Sequence, residues 1–514
     1  MNQPTIHQAD ALVVGAGIAG LMAALKLSPR RVTLVTKTRL GSGSATGWAQ
    51  GGIAAAMGAD DSPSLHSLDT RNAGAGISDE TMVELLTRDA PARIKELRKL
   101  GAAFDLAEDG GLSLGREGAH NRKRIVRAGG DATGAEILKT LLSAVQHDDA
   151  ITILEETTVQ ELLTREGRVH GFLAHCKGAN QWLQCTGRAV ILATGGIAAL
   201  YSRTTNPHEA RGDGIAIAAR AGAVLSDMEF VQFHPTALDV GMDPMPLVSE
   251  AVRGEGALLI NDRAERFMPE FHTDAELAPR DVVARALFRQ KESGRKTFLD
   301  VRHSIGTAFP QKFPTVFAHC MAAGIDPRID LIPVSPAAHY HMGGIAVDAW
   351  GRTSLPGLWA CGEVCASGVH GANRLGSNSL LEALVYASQV AKDVDAALSA
   401  NIAQLKPLEV PKIFRAPAVS DSGAMRKLRN AMYEHVGVIR TAIGLSSAIA
   451  LFDDLLDASQ EPDREIRNAL MVAKLVASAA GDRHESRGSH YRSDYPGTNE
   501  AYAQRSFTTL KSVA

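Results

Sequence analysis

A glycine-rich turn near the start of the chain has the residue types and spacing to bind a dinucleotide. It reads Gly15-Ala16-Gly17-Ile18-Ala19-Gly20 and lies between an apolar segment at residues 11–14, which predicts a β-strand, and a helical pattern at residues 21–27. The first two glycines would let the backbone approach a pyrophosphate, and the third would let helix and strand pack together. Because the motif stands between a strand and a helix, we favour dinucleotide binding over a purely structural turn.

The second predicted strand, at residues 31–37, does not end in a carboxylate. Thr36 and Lys37 stand where simple NAD-binding proteins carry an Asp or Glu that binds the adenosine ribose. We therefore expect the ribose to be recognised in a different way, with Lys37 close to the cofactor.

Two further apolar strands that run into glycines lie far along the chain. Residues 188–196 end in Thr194-Gly-Gly, and residues 357–363 end in Cys361-Gly-Glu363. Together with the strand at residues 11–14, these are three apolar strands that end at glycines and are separated by long insertions. They predict one nucleotide-binding sheet assembled from distant segments. The expected fold class is α/β. A split Rossmann-like domain would occupy residues 1–233 and 344–414, with an α+β capping domain inserted at residues 234–343.

The last hundred residues predict helices. Apolar positions recur at helical spacing in residues 425–436, 445–456 and 466–473. Such stripes more often form a core than a ligand site. We therefore expect a C-terminal three-helix domain at residues 415–514 that packs on the rest of the chain.

The composition limits the classes of partner. The 514 residues contain 54 Lys and Arg against 57 Asp and Glu, so nucleic acid and anionic membranes are not expected partners. We see no secretory signal and no apolar run near the roughly 20 residues that span a bilayer. The five cysteines include no C-x-x-C pair, which favours core thiols over a metal or iron–sulfur site. We expect a cytoplasmic protein that binds no metal.

Further motifs follow the glycine-rich turn in a fixed order. They are Ala49-Gln-Gly-Gly52, Gln232-Phe-His-Pro-Thr236, Arg253-Gly-Glu-Gly256, Ala278-Pro-Arg-Asp281, His339 and His370-Gly-Ala-Asn-Arg374. In these motifs the chain resembles the fumarate reductase and succinate dehydrogenase flavoprotein family over nearly its whole length. Within that family it most resembles the branch that oxidises L-aspartate.

The resemblance implies a noncovalently bound FAD. Respiratory members of the family attach the flavin through a histidine, and the matching place here is near Ala45. Glu363 would accept hydrogen bonds from the ribityl hydroxyls, and Ser379 would lie near a flavin carbonyl at a helix start. The expected cofactor contacts are residues 15–20 of the turn, Lys37, the loop residues Ser44, Ala45, Thr46, Gly47, Trp48, Ala49, Gln50, Gly51 and Gly52, and, by resemblance, Asp213, Glu363, Ser379 and Leu380.

A dicarboxylate substrate needs cationic or multiple donors in a site that excludes water. Arginine offers planar, bidentate geometry, and Arg374 is the expected anchor. By resemblance, His234, His339 and Ser249 supply further donors. Each histidine taken alone would more often be a hydrogen-bonded structural residue.

Glu117 distinguishes the chain from relatives that act on succinate. The resemblance implies that this carboxylate faces the substrate amino group, where it would attract the ammonium of aspartate and repel succinate. The alternative is a solvated cluster of charges, because Arg116, Arg122, Lys123 and Arg124 lie close in sequence.

Arg280 is the residue we assign to proton transfer. It follows Pro279 in the first turn of a predicted helix, and the resemblance implies support from Glu250 and Arg253. The alternative is a surface ion pair between Arg280 and Asp281.

The resemblance implies an enzyme that oxidises L-aspartate to iminoaspartate, the first step of de novo NAD biosynthesis. Oxygen or fumarate would reoxidise the flavin, and functional coupling to quinolinate synthase is a reasonable hypothesis. The alternatives are a soluble fumarate reductase or succinate oxidase, and a flavin-binding subunit that docks onto an electron-transfer partner.

Overall fold

A computed structural model describes residues 4–400, 422–457 and 464–512. Its helices are α1 (Ile18–Leu27), α2 (Pro63–Ala73), α3 (Glu80–Lys99), α4 (Thr133–Gln146), α5 (Asp213–Arg220), α6 (Glu250–Gly254), α7 (Arg280–Glu292), α8 (Phe309–Lys312), α9 (Pro314–Ala322), α10 (Asn378–Ala400), α11 (Ser422–His435), α12 (Ala442–Asp457) and α13 (Arg464–Asp482). Its strands are β1 (Thr5–Gln8), β2 (Ala11–Val14), β3 (Val32–Val35), β4 (Ile53–Ala54), β5 (Leu114–Gly115), β6 (Ile125–Val126), β7 (Ile151–Leu154), β8 (Thr157–Arg165), β9 (Arg168–Cys176), β10 (Gln181–Thr186), β11 (Ala189–Leu192), β12 (Leu225–Ser226), β13 (Val231–Leu238), β14 (Leu258–Asn261), β15 (Thr297–Asp300), β16 (Ile332–His341), β17 (Gly344–Ala346), β18 (Leu358–Ala360), β19 (Cys365–Ala366) and β20 (Phe507–Thr508).

A parallel sheet in the order β18-β11-β2-β3-β7 forms the centre of the molecule. Val190 of β11 pairs with Leu12 of β2 on one side and with Leu358 of β18 on the other. All three of these strands are fully buried, as expected when helices cover both faces of a parallel sheet. The predicted sheet, built from three distant segments, is therefore confirmed, and so is the α/β class.

The inserted segment has its own antiparallel sheet, in the order β13-β16-β15-β14. Helix α7 packs on this sheet, and a separate apolar core that includes Leu259, Val283 and Phe309 fills the space between them. Val231 pairs with His341, so β13 and β16 join near the two predicted limits of the insertion. The domain limits at 233/234 and 343/344 stay predictions.

The three predicted C-terminal helices are confirmed as α11, α12 and α13. Leu428, Phe452 and Val476 share one apolar core with Ile215 of α5, so the helices pack directly on the nucleotide-binding part. Strand β20 pairs with β12 and ties the C-terminal tail to the same body. The predicted domain limit at 414/415 lies outside the described residues. Among the described helices, none is long and apolar enough to cross a membrane.

Candidate active site

A deep cavity opens at the carboxyl ends of the central strands, where α/β folds bind ligands. The turn after β2 forms its floor. Gly15 has a φ of +111°, and a Cβ there would collide with the carbonyl of Ala193. A Cβ on Gly20 would collide with the carbonyl of Gly15, so the third glycine is needed for α1 to pack against the turn. These contacts explain the spacing of the motif.

Most of the predicted cofactor residues line this cavity. Gly20, Gly47, Gln50, Gly51 and Gly52 do not belong to its wall. Gly47 packs against α4, whereas Gly51 approaches Glu117 in a neighbouring site. The predicted residues that line the wall are Gly15, Ala16, Gly17, Ile18, Ala19, Lys37, Ser44, Ala45, Thr46, Trp48, Ala49, Asp213, Glu363, Ser379 and Leu380.

The wall suits a polar ligand that carries phosphates. Gly17 caps α1 with no side-chain hydrogen bond of its own. The N–H of Ile18 donates to Thr46 Oγ1 at 3.1 Å, so the next amides of the first turn are the ones that can meet a ligand. Thr194 Oγ1 and Asn206 Oδ1 are buried in the wall without a hydrogen-bond partner. Thr194 belongs to the Thr-Gly-Gly motif that follows β11, but the motif does not predict a ligand contact for its side chain. No motif marks Asn206. Both would gain partners from a bound dinucleotide.

Glu363 is a buried carboxyl in the same wall. The backbone N–H of His341 donates to its Oε1 at 2.9 Å. Burial raises the pKa of Glu363 to about 7, against the opposing effects of that hydrogen bond and of Arg374. Its acceptor atoms fit the predicted contact with ligand hydroxyls.

A second group of charged residues adjoins the cavity. Arg280 begins α7 and is buried; its Nε donates to Glu250 Oε2 at 2.6 Å and one of its terminal nitrogens donates to Gln232 at 3.1 Å. Asp281 pairs with Arg285 instead, at 2.9 Å. The alternative of a surface pair between Arg280 and Asp281 is therefore wrong.

The short helix α6 brings three predicted residues to this group. Ser249 caps the helix by accepting the N–H of Ala251 at 3.3 Å. Glu250 binds Arg280 through one oxygen and lies 3.3 Å from a guanidinium nitrogen of Arg253 through the other. Burial lowers the pKa of Arg253, while Arg280 and Arg253 outweigh burial and hold the pKa of Glu250 below its usual value.

Arg374 presents unused donors between the cavity and the charged group. One terminal nitrogen donates to Ser379 Oγ at 2.8 Å, and the guanidinium lies 4.6 Å from the centre of the Tyr340 ring. Its Nε and other terminal nitrogen are buried without a partner. Burial, assisted by Arg280, lowers its pKa to about 10, which still leaves the group charged at neutral pH. A buried cation with two free N–H donors has the charge and geometry to bind a carboxylate.

His234 and His339 come together from the two ends of the insertion, with ring centres 5.0 Å apart. The backbone N–H of Thr236 donates to His234 Nδ1 at 3.2 Å, which assigns the ring proton of neutral His234 to Nε2. Burial lowers the pKa of both rings well below the usual value, and Arg280 and Arg374 lower it further. Both histidines are therefore neutral hydrogen-bonding groups.

Glu117 is buried, with 2% of its surface exposed, so the alternative of a solvated charge is wrong for this residue. The Ser377 hydroxyl donates to its Oε2 at 2.8 Å. A Cβ added to Gly376 would lie 2.6 Å from Glu117 Oε2, 3.1 Å from Arg280 and 3.2 Å from Glu250, so three charged groups converge there. Burial, followed by the charge of Glu250, raises the pKa of Glu117.

A buried ion network anchors the segment that carries Glu117. Arg124 binds Asp61 at 2.8 Å and Asp69 at 2.6 Å, and none of the three is exposed by more than 2% at its side chain. Asp69 also accepts the backbone N–H of Asn121 at 2.9 Å. Sequence reasoning missed this network, as it missed Ser377 and the side-chain role of Gln232, because the partners lie far apart in the chain.

Comparison with known proteins agrees with this arrangement. Residues 10–380 match the family described as FAD binding domain, and residues 425–513 match the one described as fumarate reductase flavoprotein C-term. The structure is similar to FrdA of E. coli quinol fumarate reductase, with a TM-score of 0.90 and 28% identity over 98% of this chain and 95% of that one. It is also similar to Sdh1 of Mycobacterium smegmatis, with a TM-score of 0.84 and 32% identity over 97% and 91% of the two chains. The fold and the site thus define an FAD-binding flavoprotein of the fumarate reductase type.

Proteins with more similar sequences show to which family within this class the chain belongs. The chain is 46% identical to an L-aspartate oxidase of Caulobacter vibrioides over 99% of this chain and 98% of that protein. It is 48% identical to an L-aspartate oxidase of Mesorhizobium japonicum over 95% and 92%. The chain belongs to the L-aspartate oxidase family.

Proposed function

We propose that this protein oxidises L-aspartate to iminoaspartate with FAD as the cofactor. The observation that carries the proposal is the buried Glu117 beside a cluster of arginines. Arg253, Arg280 and Arg374 carry three positive charges against two negative charges on Glu117 and Glu250. With both histidines neutral, these five side chains together carry one positive charge. L-Aspartate, which has two carboxylates and one ammonium, carries the complementary single negative charge.

The donors divide between the two substrate carboxylates. Arg374 offers its free Nε and terminal nitrogen to one carboxylate. His234 Nε2–H, His339 and the Ser249 hydroxyl are the proposed partners of the other. Arg374, His234 and Ser249 are buried and His339 is partly buried, and each is held by a hydrogen bond of its own. They would therefore orient the substrate with little loss of entropy on binding.

Glu117 is the proposed partner of the substrate ammonium. Ser377 uses one acceptor position of its Oε2, and the other acceptor positions of the carboxylate are available to the ammonium. The cation would offset the burial and the repulsion from Glu250 that raise the pKa of Glu117. Succinate has no ammonium, so Glu117 would be left without a cationic partner beside the two carboxylates of succinate.

Held by the turn at residues 15–19 and by Glu363, FAD would supply an acceptor for the hydride of the substrate Cα. The nitrogen must lose a proton for its lone pair to form the C=N bond of the product. Arg280 is the proposed group for proton exchange with the substrate: it would take up this proton as its own Nε–H passes to Glu250 Oε2, to which it already donates at 2.6 Å. Gln232 holds the guanidinium in place. Ala45, which lines the wall near the place where respiratory members of the family carry the flavin-bonding histidine, has no nucleophilic side chain, and this supports noncovalent attachment of FAD.

The relatives named L-aspartate oxidase support the oxidation of L-aspartate. We further propose that this reaction is the first step of de novo NAD biosynthesis, that oxygen or fumarate reoxidises the flavin, and that the iminoaspartate is passed on to quinolinate synthase. The fumarate reductase fold supports fumarate as an acceptor. Residues 1–233 and 344–414 would form the FAD-binding domain, residues 234–343 the capping domain and residues 415–514 the helical domain.

The second candidate is a soluble fumarate reductase or succinate oxidase, favoured by the structural likeness to FrdA and Sdh1. Anaerobic addition of L-aspartate to the FAD-loaded protein, with succinate in a parallel cuvette, separates the two. We expect aspartate alone to bleach the flavin absorbance. Bleaching by succinate alone would assign the protein to the second candidate.

A further inference from the structure

The C-terminal helix α13 contacts two residues that line the cavity, Lys37 and Asp213, on the side away from the cavity. Glu465 Oε1 lies 3.0 Å from Lys37 Nζ, and Asn468 Nδ2 donates to Asp213 Oδ1 at 3.0 Å. Lys37 and Asp213 also bind each other, at 3.0 Å. Glu465 and Asn468 are three residues apart and so lie on the same face of α13. Two side chains of the helical domain therefore fix a pair that lines the cavity.

The position of this pair in the fold identifies the part of the ligand that it meets. Lys37 follows β3, the strand whose end lies beside the adenosine ribose in dinucleotide-binding folds. The carboxylate that is missing at the end of β3 is supplied by Asp213, the first residue of α5. Both residues line the cavity, whereas Glu465 and Asn468 stand outside its wall.

Lys37 needs such support because its side chain is long and flexible. An ammonium on four methylenes loses much rotamer freedom when it is ordered, and one exposed ion pair seldom holds it. Glu465 adds a second carboxylate at 3.0 Å and also lies 3.5 Å from Arg211. Asn468 is itself bound by Arg220 of α5. The four charges of Lys37, Arg211, Asp213 and Glu465 cancel, which suits neutral ribose hydroxyls better than a phosphate.

We propose that α13 is part of the cofactor site: Glu465 and Asn468 position Lys37 and Asp213 for the adenosine half of FAD, so FAD affinity depends on the docked C-terminal domain. The inference rests on FAD as the cofactor. Coupling of this kind is reciprocal, so bound FAD must stabilise the docking of α13 by the same free energy.

Titration of the full-length apoprotein with FAD, followed by the quenching of flavin fluorescence, tests the proposal without any activity measurement. Glu465→Gln keeps the size of the side chain and removes its charge. We expect the dissociation constant for FAD to rise about fivefold, the effect of one partly exposed ion pair. In a Lys37→Met background the same substitution has no ammonium at position 37 to release, so we expect no further change in the affinity for FAD.

Arg464→Gln is the matched control. Arg464 is the neighbouring residue on α13 and pairs with Glu161 at 3.5 Å, and neither residue lines the cavity. We expect its affinity for FAD to equal that of the unmodified protein. Equal weakening by Arg464→Gln and Glu465→Gln, or equal weakening by Glu465→Gln with and without Lys37, would overturn the positioning role. Failure of the unmodified protein to bind FAD would instead contradict the cofactor assignment.

Hydrogen exchange on the unmodified protein provides a second test that no folding defect can disturb. Reciprocal coupling predicts slower amide exchange in residues 464–475 when FAD saturates the protein than when it is absent. Unchanged exchange in this segment, with slower exchange in the turn at residues 15–20, would show that FAD binds without engaging α13.

Discussion

The cavity proposed to bind FAD and the charged residues proposed to bind the substrate, here called the substrate group, lie side by side but are built in different ways. The cavity uses backbone: its floor is a turn in which Gly15 and Gly20 leave no room for side chains. The substrate group uses side chains brought from four distant places, Glu117, Glu250, Arg280 and Arg374. A local motif can build the first kind of site, whereas the second depends on the complete fold.

We expect the largest effect, a loss of bound FAD, at Gly15, where the fold leaves no room for a side chain. Gly15→Ala places a Cβ against the carbonyl of Ala193 at a φ that disfavours side chains, so we expect a folded protein that is purified without FAD. The ratio of flavin absorbance to protein measures the loss. Gly497→Ala, at an ordinary φ with open space around it, is the control and should keep its flavin. A fully loaded Gly15→Ala protein would show that the turn does not form the pyrophosphate site.

Substitution in the substrate group should spare the cofactor and affect turnover. Arg374→Met removes the two free buried donors, and we expect kcat/KM for L-aspartate to fall about 10³-fold, the scale of a lost buried charge contact. Arg374→Lys restores the charge without the planar fork and should recover only part of the loss. Flavin content is measured on the same samples. A loss of FAD that accounts for the whole loss of activity would remove the distinction between the two regions.

A smaller effect should come from Ser377, whose hydroxyl donates to Glu117. Burial and Glu250 raise the pKa of Glu117, whereas Arg280, Arg127 and the Ser377 hydroxyl lower it. If the ionised carboxyl binds the ammonium, activity falls as pH decreases through the pKa of Glu117. Ser377→Ala removes a donor to the carboxylate, so the acid limb of the kcat/KM profile should move to higher pH, with about a fivefold loss near that limb.

The backbone at Ser377 needs its own control, because its φ is +60°. Ser377→Gly also lacks the hydroxyl but relieves the strain of a side chain at positive φ. Equal shifts of the acid limb in the alanine and glycine variants would assign the effect to the hydroxyl. A shift in the alanine variant alone would assign it to the backbone.

The sequence predicts the central sheet and the three C-terminal helices because both follow from local patterns. The strands at residues 11–14, 189–192 and 358–360 are apolar and run into glycines, and the helices repeat apolar residues at helical spacing. Local patterns could not predict the anchoring of Glu117 by Ser377, since 260 positions separate the two residues.

The sequence also could not predict the contacts of residues whose neighbours are set by tertiary packing. Lys37 and Asp213 were expected at the cofactor but not in an ion pair held by α13. Gly51 and Gly52 belong to a loop that lines the cavity only as far as Ala49, because the next residues turn toward Glu117 and β6. The loop at residues 44–52 thus contributes to both the cavity and the site of Glu117, and its sequence does not show which residues belong to which.

The most direct test of the central claim is the ratio of two activities in Glu117→Gln, measured on protein with full flavin content. Glutamine keeps the shape and loses the charge that the ammonium requires. We predict that kcat/KM for L-aspartate falls about 100-fold while fumarate reduction by the reduced enzyme is unchanged or faster. Equal losses in both activities would contradict the role of Glu117 in recognising the ammonium.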